Sequence, residues 1–198
     1  MIAATIADLR KKHGIPLDST VRGPVPLARF FEELGLSHVA LPGLNCGSVI
    51  EHVLAEGSTV EPFDDPLEPL AGFLYFAGRI GHAFVDANDI LPRRRFSAAH
   101  ELGHAVLHRE RMGRYRADSQ KTLLEDNEST DVLEREANQF AAELLMPEEI
   151  VRARVAEIRT AHGGCPVGVL VHRLSAELLV SREAMRFRLK NLGVGDER

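Results

Sequence analysis

His100, Glu101 and His104 stand in an H-E-x-x-H pattern inside FSAAHELGHAVLH, residues 96 to 108. On a helix, side chains four positions apart lie almost one above the other, so both imidazoles leave one face and can share an ion. A zinc ion held by three protein ligands keeps its fourth position for water and lowers that water's pKa to about 7. Glu101, beside the first histidine, leans over the edge of the same face, where its carboxylate can take a proton from that water. The chemistry that these residue types and this spacing suit is metal-assisted hydrolysis, with Glu101 as the general base.

Two histidines can meet one ion only if their helix is held in place. Phe96, Ala99, Gly103, Val106 and Leu107 recur around them at helical spacing, which predicts a helix buried on most sides. Gly103 costs such a helix about 1 kcal/mol relative to Ala, so another backbone is expected close by. Pro92 opens the helix at its first turn, and Arg93, Arg94 and Arg95 read as a solvated or substrate-facing collar. Ahead of it, GFLYFAG (72 to 78) and GHAFVDA (81 to 87) predict a β-hairpin around Gly78 to Gly81. Were the second strand the edge of its sheet, an extended peptide could pair with its backbone.

From Arg109 to Thr130 the chain is charged and reads as a mobile loop. A second strong helix follows, DVLEREANQFAAELLMP (131 to 147). Ala137, Ala141, Leu144 and Leu145 share a face with Glu134, whereas Glu136 lies opposite with Gln139 and Glu143, solvated. A carboxylate on an apolar face is costly unless paired, so Glu134 calls for a cation. Asn138, one turn further on, is placed to orient a ligand from behind.

The flanks carry less chemistry. Residues 3 to 13 form an amphipathic helix stopped by Gly14, and LARFFEELG (27 to 35) forms another stopped by Gly35, after a Pro-rich link from Val21 to Pro26. LSHVAL (36 to 41) suits a strand, while VIEHVL (49 to 54) suits strand or helix; His38 and His52 receive no role. PFDDPLEP (62 to 69) reads as a loop. Beyond Pro147 one helix runs to about Thr160, AHGGCPVG (161 to 168) breaks the chain, and short helices over roughly 167 to 177 and 182 to 192, with Ser181 as a cap, make a helix-turn-helix shape. From 165 to 198, Arg173, Arg182, Arg186, Arg188, Lys190 and Arg198 face Glu177, Glu183, Asp196 and Glu197, a net charge of +2. That is weak for DNA, and Met185, Leu189 and Leu192 need burial, so partner or intramolecular contacts are expected instead.

The 198 residues are 44% hydrophobic and 27% charged, with a net charge of −5, which suits a soluble chain and argues against a general nucleic-acid binder. Cys46 and Cys165 lie far apart and outside any C-x-x-C pair, so they read as free thiols in a reducing cytoplasm. MIAATIADLRKKHG has no long apolar run, so neither a signal peptide nor a membrane span is expected.

LAGFLYF, RRRFSAAHELGHAVLH and EREANQFAAELLMP, in this order and spacing, resemble the ImmA/IrrE family of metallo-endopeptidases, over about residues 70 to 147. The tail HRLSAELLVSREAMRFRLKNLG resembles the helix-turn-helix-like unit that often follows that family's core. The resemblance implies an α+β chain in which a zincin-like core packs a small β-sheet on the H-E-x-x-H helix. The chain is then expected in three parts: a helical or mixed N-terminal segment (1–60) that carries no family signal and packs on the core, the core (61–148) and a C-terminal helical unit (149–198). The resemblance carries the metal ligands onto His100, His104 and, through E-x-x-A-N, Glu134, with Glu101 as the catalytic residue and one zinc ion, although zinc and manganese are not separated. Two residues apart on a helix means about 200° of rotation, so Glu134 and Glu136 cannot both face that ion.

The implied activity is site-specific cleavage or inactivation of a helix-turn-helix repressor, in a stress-response, mobile-element or toxin-antitoxin-like system. The alternative is a non-proteolytic regulator with a structural or vestigial metal site that binds DNA or a repressor. Three ligands with one position open favour the enzyme, since a structural site is closed by four. His108 does not complete a metzincin pattern, whose third histidine would fall at residue 110, which is Glu110. It is a candidate contact to substrate or to a transition-state oxygen, or a helix-end residue favoured by the dipole. Tyr115 is a weaker candidate to swing towards the site.

Overall fold

The chain is mixed α+β, organised on a four-stranded sheet with helices on both faces. The computed structural model describes residues 1–15, 22–57, 65–77, 80–112, 115–119, 131–162 and 164–195. Strands β1 (Leu36–Leu41), β2 (Leu70–Ala77), β3 (Ile80–Asp86) and β4 (Tyr115–Ser119) lie in the order β1-β3-β2-β4. β1 runs parallel to β3, and β2 runs antiparallel to both β3 and β4. The expected hairpin strands therefore pair, with residues 78 and 79 of the turn outside the described residues.

Strand alternation divides the apolar residues between two layers. Phe73, Tyr75 and Phe84 face one side, where α3 (Cys46–Ala55) covers them with Val49 and Val53. Asn45 and Ser48 form a reciprocal capping box at the start of α3, which settles VIEHVL as helix. Leu74, Phe76, Ala83 and Val85 face the main core, built with Phe30, Phe31, Leu102, Phe140 and Leu144. These come from α2 (Leu27–Glu33), α4 (Leu91–Leu107) and α5 (Val132–Leu145), with α1 (Ile2–His13) packed on α5. Gly14 ends α1 in the left-handed conformation, with φ of 59°.

The same core continues into α6 (Glu148–His162), α7 (Val167–Leu178) and α8 (Arg182–Asn191) through Ile150, Leu170, Leu174, Met185 and Leu189. Ser181 caps α8 by accepting a hydrogen bond from the Ala184 N–H at 3.0 Å. Arg188 is buried and fastens this end of the chain, donating from Nε to the Met146 carbonyl at 2.9 Å and from Nη2 to Glu143 at 3.1 Å. Among the described residues, no helix is long and apolar enough to cross a membrane. Cys46 and Cys165 are free thiols, both buried.

Three expectations change. β3 lies between β1 and β2, so it is no edge; β1 and β4 hold the edges. Part of the expected loop from Arg109 to Thr130 is β4, whose YRADS sequence lacks the apolar run that would signal a strand and whose pairing with β2 supplies its order. Residues 113, 114 and 120–130 of that stretch lie outside the described residues, as do parts of the Pro-rich link, of the PFDDPLEP loop and of the 161 to 168 break. Finally, Arg93, Arg94 and Arg95 are half-buried within α4 rather than a solvated collar. Arg93 pairs with Asp89 at 3.3 Å, and Arg95 donates to the Val25 carbonyl at 2.9 Å.

Candidate metal centre

α4 and α5 approach closely because Gly103 has no side chain. A Cβ there would stand 3.2 Å from Ala137 Cα and 3.2 Å from Phe140 Cβ, tighter than most real contacts. This contact answers the backbone approach expected at Gly103, and it brings Glu134 and Asn138 opposite the histidines of α4.

His100, His104 and Glu134 each place one ligand atom within 4.8 Å of the others. The two Nε2 atoms face each other at 3.0 Å; Glu134 Oε2 lies 3.3 Å from His100 Nε2 and Glu134 Oε1 lies 3.4 Å from His104 Nε2. The histidine side chains are 0% exposed and that of Glu134 is 1% exposed, so the group is buried. Burial by itself pushes the Glu134 carboxyl up, but hydrogen bonds and positive charge from His100 and His104 outweigh it and hold the group far below the usual carboxylate range. Two imidazole nitrogens and an ionised carboxylate, converging in a buried place, are a donor set complementary to a divalent cation of intermediate softness such as zinc.

Behind the ligand atoms, both rings are held. His100 Nδ1 lies 2.8 Å from Asn138 Oδ1, which can only accept, so the ring donates there and turns the lone pair of Nε2 towards the centre. His104 Nδ1 lies 3.0 Å from His108 Nδ1, and His108 Nε2 lies 3.0 Å from Glu136 Oε2. His108 is 1% exposed with both ring nitrogens engaged by protein, which puts it behind His104 and removes the expected contact to substrate. Glu136, expected to be solvated, is 31% exposed and tied to His108. The helical wheel does separate it from Glu134; what the wheel omits is that the end of α4 reaches across to it.

Glu101 is fully buried on α4, with its carboxylate against the backbone of β2 at Gly72. A Cβ on residue 72 would stand 1.9 Å from Glu101 Oε1, so any side chain there would push this carboxylate out of its place. Gly72 pairs with Val85 on β3 and with Asp118 on β4, and the β2–β4 register shifts between Leu70 and Gly72. That irregularity matches the break in alternation along β2: Leu70 joins Phe73 and Tyr75 on the α3 side, whereas Gly72 meets α4.

Sequence reasoning missed Arg116. It stands on β4 opposite Leu74, forms a close ion pair with Glu134 Oε1 and lies 3.2 Å from Asp131 Oδ2. Tyr115, its neighbour, stacks on Phe73 with centroids 5.8 Å apart, on the α3 side of the sheet and away from the histidines. Strand phase alone chooses between the two, and no local signal marks that phase in a short polar strand.

Residues 57–190 match the peptidase M78 family model described as the IrrE N-terminal-like domain. The chain is also 35% identical over 82 residues to "Uncharacterized immunity region protein 2" of Bacillus phage phi105, an alignment covering 41% of this chain and 48% of that protein. The chain thus spans about half the length of the curated relative it matches.

Proposed function

The chain belongs to the ImmA/IrrE peptidase family, and from that membership we propose that it is a zinc-dependent endopeptidase cutting a helix-turn-helix repressor at one or a few sites. The observation that carries the reading is the buried set of His100 and His104 on α4 with Glu134 on α5, together with Glu101 of α4, whose carboxylate is given its own space at Gly72. The immunity-region relative supports a repressor as partner. On this reading β2, β3 and β4 with α4 and α5 are a zincin-like core within residues 61–148, the N-terminal segment adds β1 to its sheet and packs α1, α2 and α3 on it, and α7 and α8 are a helix-turn-helix-like pair within 149–198. The setting is the cytoplasm.

His100, His104 and Glu134 would hold the ion, and zinc bound there supplies a Lewis acid and water that ionises near neutral pH. Glu101 takes a proton from water onto its carboxylate and returns it to the nitrogen of the departing amine. Asn138 keeps His100 from rotating, and Arg116 adds positive charge beside Glu134. With β4 rather than β3 at the sheet edge, an extended substrate segment is read as pairing along β4, where backbone bonds hold a chain without reading much sequence.

The test is to incubate the zinc-loaded full chain with the repressor encoded beside its own gene. Discrete fragments are expected, lost on adding a zinc chelator and regained with zinc. A repressor that is bound but stays whole would instead favour a non-proteolytic regulator. A second prediction isolates the space made for Glu101. Gly72→Ala is expected to keep its zinc and lower kcat/KM by about 100-fold, the effect of moving a catalytic group by about 1 Å. Zinc content with cleavage kinetics checks it, and full activity would show that the carboxylate does not work from where it stands.

A further inference from the structure

We propose that Glu136 and His108 form a relay that sets the ring of His104 as a metal ligand, so that the two histidines of the centre are held by different devices. The proposal rests on the metal-centre reading above and concerns positioning residues, not new ligands.

A neutral imidazole has one N–H and one lone pair. His104 Nε2 faces His100 Nε2 at 3.0 Å and Glu134 Oε1 at 3.4 Å, so a cation there needs the lone pair on Nε2 and the proton on Nδ1. That N–H meets another ring nitrogen, His108 Nδ1 at 3.0 Å, which must then accept. The proton of His108 is thereby placed on Nε2, 3.0 Å from Glu136 Oε2, and a carboxylate only accepts. Every bond in the row has one allowed direction, and the direction is imposed from the Glu136 end. His100, by contrast, meets a neutral amide oxygen directly, at 2.8 Å.

The charge at the end of the row also matters. A negative acceptor behind a ligating histidine fixes its tautomer and raises its basicity, and losing such a partner typically weakens metal binding by about 10- to 100-fold. In Glu136→Gln the amide can present either its oxygen or its NH2 group to His108. His108 is then free to carry its proton on Nδ1, against the Nδ1–H of His104, and the tautomer of His104 that suits the ion loses its support. A merely structural tie between α4 and α5 would survive that nearly isosteric change, and Glu136 is exposed enough to accept it without a packing defect.

The test uses the full chain labelled with 15N-histidine, with zinc affinity measured by competition against a chelator and tautomers read from long-range 1H–15N correlations. In the wild-type protein, His104 is expected to carry its proton on Nδ1 and His108 on Nε2. Glu136→Gln is expected to weaken zinc binding by about 10- to 100-fold, to redistribute the His108 proton and to leave the melting of the metal-free protein unchanged. His108→Ala and the double variant should match each other, because once the middle of the row is gone its end has nothing to act on. Zinc affinity of Glu136→Gln within about twofold of wild type, or additive losses in the double variant, would overturn the relay while leaving the metal centre standing. A wild-type chain that takes up no zinc would overturn the metal-centre reading itself, and the relay with it.

Discussion

Glu101→Gln is expected to leave zinc content unchanged and to lower kcat/KM for repressor cleavage by about two to four orders of magnitude, or about 3–5 kcal/mol of transition-state stabilisation. The amide matches the carboxylate in size, so it fits the space over Gly72 that a side chain on residue 72 would fill. It cannot take a proton from water or pass one to the departing nitrogen. Because Glu101 is separate from the three grouped ligands, the metal should stay. Zinc measured by mass spectrometry on the same preparation used for kinetics separates loss of the base from loss of the ion. Undiminished turnover by a zinc-replete Glu101→Gln protein would sink the mechanism.

The second large effect is expected from Glu134→Ala, which should strip the centre of metal. Only His100 and His104 would remain, and two imidazoles on one helix face hold zinc far more weakly than three protein ligands do. The loss should exceed the roughly 10- to 100-fold that a missing outer partner costs, which is the range expected for changes at Glu136. The substitution also removes the carboxylate that faces Arg116 and both ligand histidines, leaving three cationic or ionisable groups together in a buried place. The metal-free protein should therefore be destabilised as well, and a thermal melt of the two apo proteins would read this. Metal retained in Glu134→Ala and lost in Glu136→Ala would reverse the assignment of the third ligand.

The two variants probe different faces of one helical turn, and the contrast between them shows where local pattern stops. Periodicity placed Glu134 with Ala137, Ala141, Leu144 and Leu145, all of which are buried on α5, and set Glu136 on another face. It could not show that this other face meets His108, because the meeting depends on where α4 ends and how closely α5 crosses it. The crossing is set at Gly103, which pattern flagged as a close approach without naming what approaches. Arg116 is the sharper case. Its place beside Glu134 follows from β4 pairing with β2 and from which of two alternating positions points towards α4.

Much of the chain was nonetheless legible from its residues. Four-residue spacing puts His100 and His104 on one helix face whatever the rest of the molecule does, and cap and stop residues such as Ser181 and Gly14 end helices through their own backbone bonds. These are interactions within a few residues, and their geometry is carried by the covalent chain. The order of the strands, the central position of β3, the room at Gly72 and the bond between His108 and Glu136 are contacts between distant segments. They come from packing two helices and a sheet into one dry core, where register and strand phase are chosen by the whole set of apolar side chains at once. The residue pattern therefore determined which groups can do chemistry and on which face of each helix they lie; the tertiary structure decided which of them meet.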